Sequence, residues 1–229
     1  MAITVLSAGA VKGAVTCLAE TFKQQTGEEI SFRFGTAGNV RQRLSAGEAG
    51  DVVIATEAAL QLMARDGLIV VETACGVGRT LTGVCVPAGR EHPPLASIED
   101  FRRLLLDVRS FAYTDPAAGG TSGTFFAGLL ERLELTGQVA SKAVLCRGGE
   151  DVARTVAAGR ADAGSTFISE MIPVAGVGVV GPLPDEIGNE TGYSGAVLSV
   201  SRNAPMAARF LDMLVDPNHR RVWAGAGFL

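Results

Sequence analysis

The chain is poor in the residues that most metal and nucleophile chemistry requires. Its 229 residues include two histidines and four cysteines. Cys17, Cys75, Cys85 and Cys146 lack the close spacing of a CxxC metal knuckle, so no metal is expected. No Cys/His/Asn constellation can be assembled for a cysteine nucleophile either. Cys17 and Cys85 fall within apolar patterns and read as core residues, and free buried thiols fit a reducing compartment. Neither GxGxxG nor GxxxxGK[ST] occurs, which argues against a nucleotide, and no cofactor is expected. There is no surplus of basic charge: 20 Lys and Arg stand against 24 Asp and Glu, a net charge of −4, which speaks against nucleic acid. No run of about 18 apolar residues is present, so no membrane insertion is expected. MAITVLSAGAV enters a strand pattern at Ile3 with no basic stretch and no apolar signal core before it. The expected location is periplasmic if a signal peptide has been removed, and otherwise cytoplasmic.

What is abundant is small and apolar. Apolar residues make up 47% of the chain and glycine contributes 29 residues, a mixture suited to helices lying close on a parallel sheet. Ile3 to Leu6 reads as a strand, and Val11, Val15, Leu18 and Phe22 mark one helical face that Gly27 ends. Ile30 to Phe34 is a second strand. Asn39 is placed to cap a helix with Val40 and Leu44 inward, and DVVIA (51–55) has the unbroken apolar character of a buried parallel strand. A helix over 58–66 follows. After a strand at 80–86 the alternation repeats: strands at 110–113, 143–146 and 163–167, helices at 98–106 and 150–158, and a helix with Phe126, Leu129, Leu130 and Leu133 inward. A strand at 192–200 and helices at 204–215 and 218–223 close the chain. This predicts two α/β lobes, 1–82 plus 196–229 and 83–195, joined by two crossover strands.

One local pattern recurs four times. LSAGAV (6–11), FGTAGNV (34–40), GGTSGTF (119–125) and CRGGEDV (146–152) each lie between a strand and a helix, and the residues entering the helix are small or flexible. Small side chains leave the first N–H groups of a helix uncovered, and those groups carry partial positive charge. In α/β sheets such turns gather at the carboxyl ends of strands, so a shared anion site is expected.

These segments also carry a family resemblance. ITVLSAGAVKGAV, followed by ETFKQQTGEEISFRFGTAGNVRQRLSAGEAGDVVIA, is similar to the molybdate-type periplasmic solute-binding proteins, and TDPAAGGTSGTF and EDVARTVAAGRADAGSTF fall where that family has its other ligand loops. The resemblance implies the type II periplasmic-binding fold, with two lobes closing on an oxyanion in a cleft, and an ABC permease as partner if the chain is exported. It also marks a departure. Ala10, Ala37 and Phe167 stand where the family offers two serine hydroxyls and a tyrosine hydroxyl, so molybdate itself fits poorly and a small di- or tricarboxylate fits better.

The candidate ligand residues are Ser7, Gly9, Ala10, Thr36, Ala37, Gly38, Asn39, Arg41, Thr121, Ser122, Gly123, Ser165 and Thr166. Arg41 is favoured among the arginines because it follows the small turn directly; Arg33, Arg43 and Arg147 are further guanidinium groups near the turns. Asp51 and Asp115 read as structural, the second as a turn former. An enzyme on the same fold is the alternative, an isomerase of unsaturated polycarboxylates resembling aconitate isomerase. Its base is not evident: Glu170 and Tyr193 are the candidates, with Glu170 read rather as an exposed loop carboxylate, and His92 and His219 as surface residues.

Overall fold

The computed structural model describes residues 2–92 and 94–229. Strand β1 (Ile3–Ala8) leads through a single 3₁₀ turn, Gly9–Val11, into helix α1 (Lys12–Thr26). Ala14, Val15, Leu18, Ala19 and Phe22 are its buried face. Gly27 ends it at φ 75°, a left-handed turn that glycine adopts without steric penalty. Strand β2 (Ile30–Gly35), α2 (Ala37–Ser45), β3 (Val52–Thr56) and α3 (Glu57–Arg65) follow. Every residue of β3 is buried, as expected of DVVIA. The long strand β4 (Cys75–Pro87) carries the chain from the first compact unit, Met1–Arg79 with Thr191–Leu229, into the second, Thr80–Glu190.

The second unit contains α4 (Ile98–Asp107), β5 (Phe111–Thr114), α5 (Thr121–Arg132), α6 (Thr136–Ala140), β6 (Ala143–Cys146), α7 (Gly149–Ala157), β7 (Ala163–Phe167), the short α8 (Ile168–Met171) and β8 (Val177–Pro182). Strand β9 (Glu190–Val197) returns the chain, and α9 (Ala204–Val215) and α10 (Arg220–Gly225) complete the first unit.

In the first unit β1 pairs in parallel with both β2 and β3, and β9 runs antiparallel to β3. One face is filled by Leu6, Val53 and Ala55 against Val40, Leu44, Leu60 and Met63. Phe22 of α1 and Phe210 of α9 meet edge to face at 5.3 Å. In the second unit β5 pairs in parallel with β6 and β7, while β4 runs antiparallel to β7 and β8. Phe126 of α5 stacks on Phe111 at 5.3 Å and meets Phe101 edge-on, which anchors α5 to the sheet. The opposite face holds Ala112, Cys146, Val152, Val156 and Met171.

Two expectations are corrected here. Cys17 is exposed. It lies two residues after Val15, about 200° around the helix, and so points away from the Val15–Leu18–Phe22 stripe. The helix after β2 begins at Ala37, not after Asn39, and Thr36 is its cap: the Thr36 side chain accepts the Asn39 N–H at 3.1 Å. Asp51 is structural as expected, accepting the Thr4 N–H at 2.9 Å and the Ser201 hydroxyl at 2.8 Å. Asp115 accepts the Ala117 N–H at 2.9 Å and so holds a turn.

Candidate functional site

Parallel pairing sets where the small turns lie. In the first unit Ala8 stands opposite Gly35, so the turns after β1 and β2 leave the sheet side by side. In the second, Thr114 stands opposite Cys146 and Tyr113 opposite Ser165, so the turns after β5, β6 and β7 leave at one end.

The turns are not equivalent. After β1, no side chain caps either the Gly9–Val11 turn or α1. Ala10 is buried, and the Ser7 hydroxyl donates to the Ala8 carbonyl at 3.1 Å. After β2, the Thr36 side chain takes the Asn39 N–H, leaving Ala37 and Gly38 as the bare residues. Arg41 reaches across to Asp66, with Nη2 to Oδ2 at 2.9 Å, and both partners are about two-fifths exposed (39% and 40%). Its charge is therefore shared with a surface carboxylate. Arg33 and Arg43 both pair with Glu48, at 2.6 Å each.

After β5 the first turn of α5 has no side-chain cap, and its N-terminal residues are Thr121, Ser122 and Gly123. A β-carbon at Gly123 would strike the Thr114 carbonyl oxygen, so glycine is what lets this turn lie directly on the end of β5. Ser122 is buried, with its Oγ 3.4 Å from Thr114 Oγ1 and 3.5 Å from Thr166 Oγ1. Thr166 Oγ1 donates to Glu170 Oε2 at 2.6 Å. Ser165, one residue earlier on β7, points to the other face and donates to the Gly83 carbonyl at 2.9 Å.

The turn after β6 is already filled. The Glu170 carboxylate lies at the start of α7 and accepts the Gly149 and Phe167 N–H groups. A β-carbon at Gly149 would overlap both that carboxylate and the Thr166 hydroxyl. Glu170 is thus a buried residue of α8 and not the exposed loop carboxylate expected of it. Burial raises its pKa from 4.5 to about 7, against the pull of Thr166 and the two N–H groups, and the charge of Glu150 adds to the rise. Sequence reasoning also leaves out Thr114, whose hydroxyl joins the cluster from the end of β5.

The remaining candidates lie elsewhere. Tyr193 is a buried residue of β9 whose ring meets Phe228 edge-on at 6.1 Å. His92 is exposed, and His219 is half-buried with Nδ1 2.9 Å from the Met213 carbonyl oxygen. Burial pushes the Cys85 thiol up to about 12, which makes it inert as a nucleophile. Among the described residues, no group of three or more His, Cys, Asp or Glu is arranged to hold a metal ion, and no helix is long and apolar enough to cross a membrane.

Comparison with known proteins places this geometry. The model of the bacterial extracellular solute-binding protein family matches residues 3–229. Aconitate isomerase of a Pseudomonas species is 30% identical over 231 residues, covering 98% of this chain and 86% of that protein. The molybdate-binding protein ModA of Mycobacterium tuberculosis is 25% identical over 234 residues, covering 99% and 84%. Among solved structures, the periplasmic molybdate-binding protein of Azotobacter vinelandii superposes with a TM-score of 0.81 at 19% identity, covering 99% of this chain and 98% of that one. The sulfate-binding protein SubI of M. tuberculosis gives a TM-score of 0.80 at 15% identity, covering 100% and 86%. The fold is therefore that of the type II periplasmic-binding proteins.

Proposed function

This chain belongs to the bacterial extracellular solute-binding protein family, and from that premise we propose that it binds a small organic di- or tricarboxylate and delivers it to an ABC importer. Each unit offers candidate donors of its own: the bare turns at Gly9–Ala10 and Ala37–Gly38 in the first, and the Thr121–Gly123 turn with the Ser122 hydroxyl in the second. The single observation that carries the choice of ligand is the buried, hydroxyl-free character of Ala10, Ala37 and Phe167. A tetrahedral oxyanion needs donors on every side, and at about 1 kcal/mol or more per charge-assisted hydrogen bond three missing hydroxyls weaken it severely. A planar carboxylate needs fewer donors and accepts main-chain N–H groups well.

A thermal-shift screen of molybdate, tungstate, sulfate, phosphate, citrate, cis-aconitate, maleate and fumarate tests this. A ligand at 100 times its Kd stabilises by about 2.7 kcal/mol, roughly 5–10 °C for a chain of this size. The expected result is a shift with a polycarboxylate. A shift with molybdate or tungstate alone contradicts the reading.

A second reading is turnover of the same ligand, and the similarity to aconitate isomerase favours it. Moving a double bond along a polycarboxylate takes a proton from one carbon and returns one to another, so it needs a base of near-neutral pKa in a dry site. Incubation with cis-aconitate in deuterium oxide distinguishes the two readings. Deuterium on carbon supports turnover, and unlabelled, unchanged substrate leaves binding alone.

A further inference from the structure

Glu170 is a carboxyl group sealed inside the second unit, and ligand binding as described makes no use of it. The elements packed on α8 are α7, β7 and β8. Strands β7 and β8 carry no titratable side chain. On α7, Arg154 is paired with Glu150 at 2.6 Å and Asp151 accepts the Arg147 N–H at 3.2 Å, so Glu150 is the charge that acts on Glu170. Strand β5 and the α5 turn approach through the hydroxyls of Thr114 and Ser122, while Tyr113 of β5 faces Phe126 at 4.9 Å. Among the described residues no cation is paired with Glu170.

Three contacts link Glu170 to α5, Thr166–Glu170, Thr166–Ser122 and Thr114–Ser122, and the three hydroxyls carry one hydrogen each; a protonated Glu170 adds a fourth. Thr166 has one hydroxyl hydrogen and two oxygens in reach, Glu170 Oε2 at 2.6 Å and Ser122 Oγ at 3.5 Å. An ionised carboxylate only accepts. It takes the Thr166 hydrogen, and Thr166 can then only accept from Ser122. A protonated carboxyl donates. It gives its hydrogen to Thr166, Thr166 gives its own to Ser122, and with Thr114 donating from the other side the Ser122 hydrogen is released. We propose that this chain of hydroxyls carries the protonation state of Glu170 to the start of α5: protonated Glu170 turns the Ser122 hydrogen toward an anion at that turn, and ionised Glu170 turns it inward. Glu170 is then a positioning residue that makes ligand affinity depend on pH. The inference rests on the ligand reading above.

The test is calorimetric titration with cis-aconitate across pH 7 to 9, where the ligand is ionised throughout. Ionised Glu170 withdraws one donor of several, so affinity of the native protein falls by about tenfold or more through the Glu170 ionisation and levels off above it. Glu170→Gln removes the slope, because an amide donates to Thr166 at every pH. A slope retained in the variant, or absent from the native protein, overturns the proposal. Carbon NMR of the ligand-free protein decides independently of any ligand. The Ser122 Cβ resonance is expected to follow the Glu170 carboxyl titration in the native protein and to lose that midpoint in Thr166→Val. A Ser122 resonance indifferent to Glu170 overturns the relay even where cis-aconitate binds. Absence of binding at every pH overturns the ligand reading, and the NMR titration then decides the relay.

Discussion

Replacing Glu170 with glutamine makes the protein more stable than the native chain above pH 7, by about 3 kcal/mol, and leaves stability unchanged well below pH 4.5. The sign follows from the direction of the shift. The native carboxyl holds its proton up to about 7, whereas the unfolded one releases it near 4.5. Between those values the folded state binds more protons than the unfolded state. Stability therefore falls as pH rises through this window and levels off above it. Glutamine keeps the shape, accepts the Gly149 and Phe167 N–H groups and donates to Thr166, but has no charge to bury. Urea denaturation at several pH values reads the effect. The acid side does not interfere. Asp162 is subject to burial that works to raise its pKa, but the side chain and N–H of Arg109, with Arg90, outweigh it and hold it at about 2. Glu48 is held at about 2 by its hydrogen bonds to Arg43 and Arg33. The contributions of both are present above about pH 4 and are lost only toward pH 2. Equal pH profiles for the native protein and the glutamine variant would contradict the buried-acid account.

A methyl group at position 149 is expected to be among the most damaging single changes in the second unit. Gly149→Ala directs a β-carbon into the Glu170 carboxylate and the Thr166 hydroxyl, both buried. Neither is the free end of an exposed chain, so α7 must shift or Glu170 must leave its N–H partners. Overpacking of this kind costs about 1–3 kcal/mol, and displacing a buried carboxylate adds to it, giving about 3 kcal/mol or more. Coupling provides the check. In the double variant Gly149→Ala with Glu170→Ala the carboxylate no longer blocks the β-carbon and only the Thr166 hydroxyl has to turn aside, so the double variant is more stable at pH 8 than Gly149→Ala alone. Additive losses would show that the two positions do not share the cavity.

Much of the fold was legible because hydrophobic period and turn chemistry agree along the chain. DVVIA could only be a strand buried on both faces, and the 15–18–22 stripe with Gly27 could only be a helix with a left-handed stop. The errors have local causes. The cap expected at Asn39 falls instead at Thr36, because β2 ends at Gly35 and leaves Thr36 as the extended residue. Strand β8 is not foreseen; VGVVGP carries two glycines and a proline, which weaken its strand pattern. It is held by pairing with β4, across a register shift between Val84 and Cys85.

The candidate site was legible only in part, for a different reason. A helix start without a capping side chain leaves a visible trace of small residues, which is how the α5 turn stands out. Whether such a start is open depends on residues far along the chain. The α7 turn is as bare in sequence as the others, yet Glu170, 21 positions after Gly149, occupies it. Arg41 shows the same limit: its place beside a small turn suggested a ligand, and Asp66, 25 residues away, holds it at the surface. Side-chain partners at long range are what a local pattern cannot supply.

The central claim is that this chain holds a small polycarboxylate where its molybdate-binding relatives hold an oxyanion. Side-by-side calorimetric titrations of cis-aconitate and molybdate at pH 7 test it most directly. The account predicts that the tricarboxylate binds tighter by about a hundredfold or more, the equivalent of three lost charge-assisted hydrogen bonds. Tight molybdate binding with no heat from cis-aconitate would contradict it.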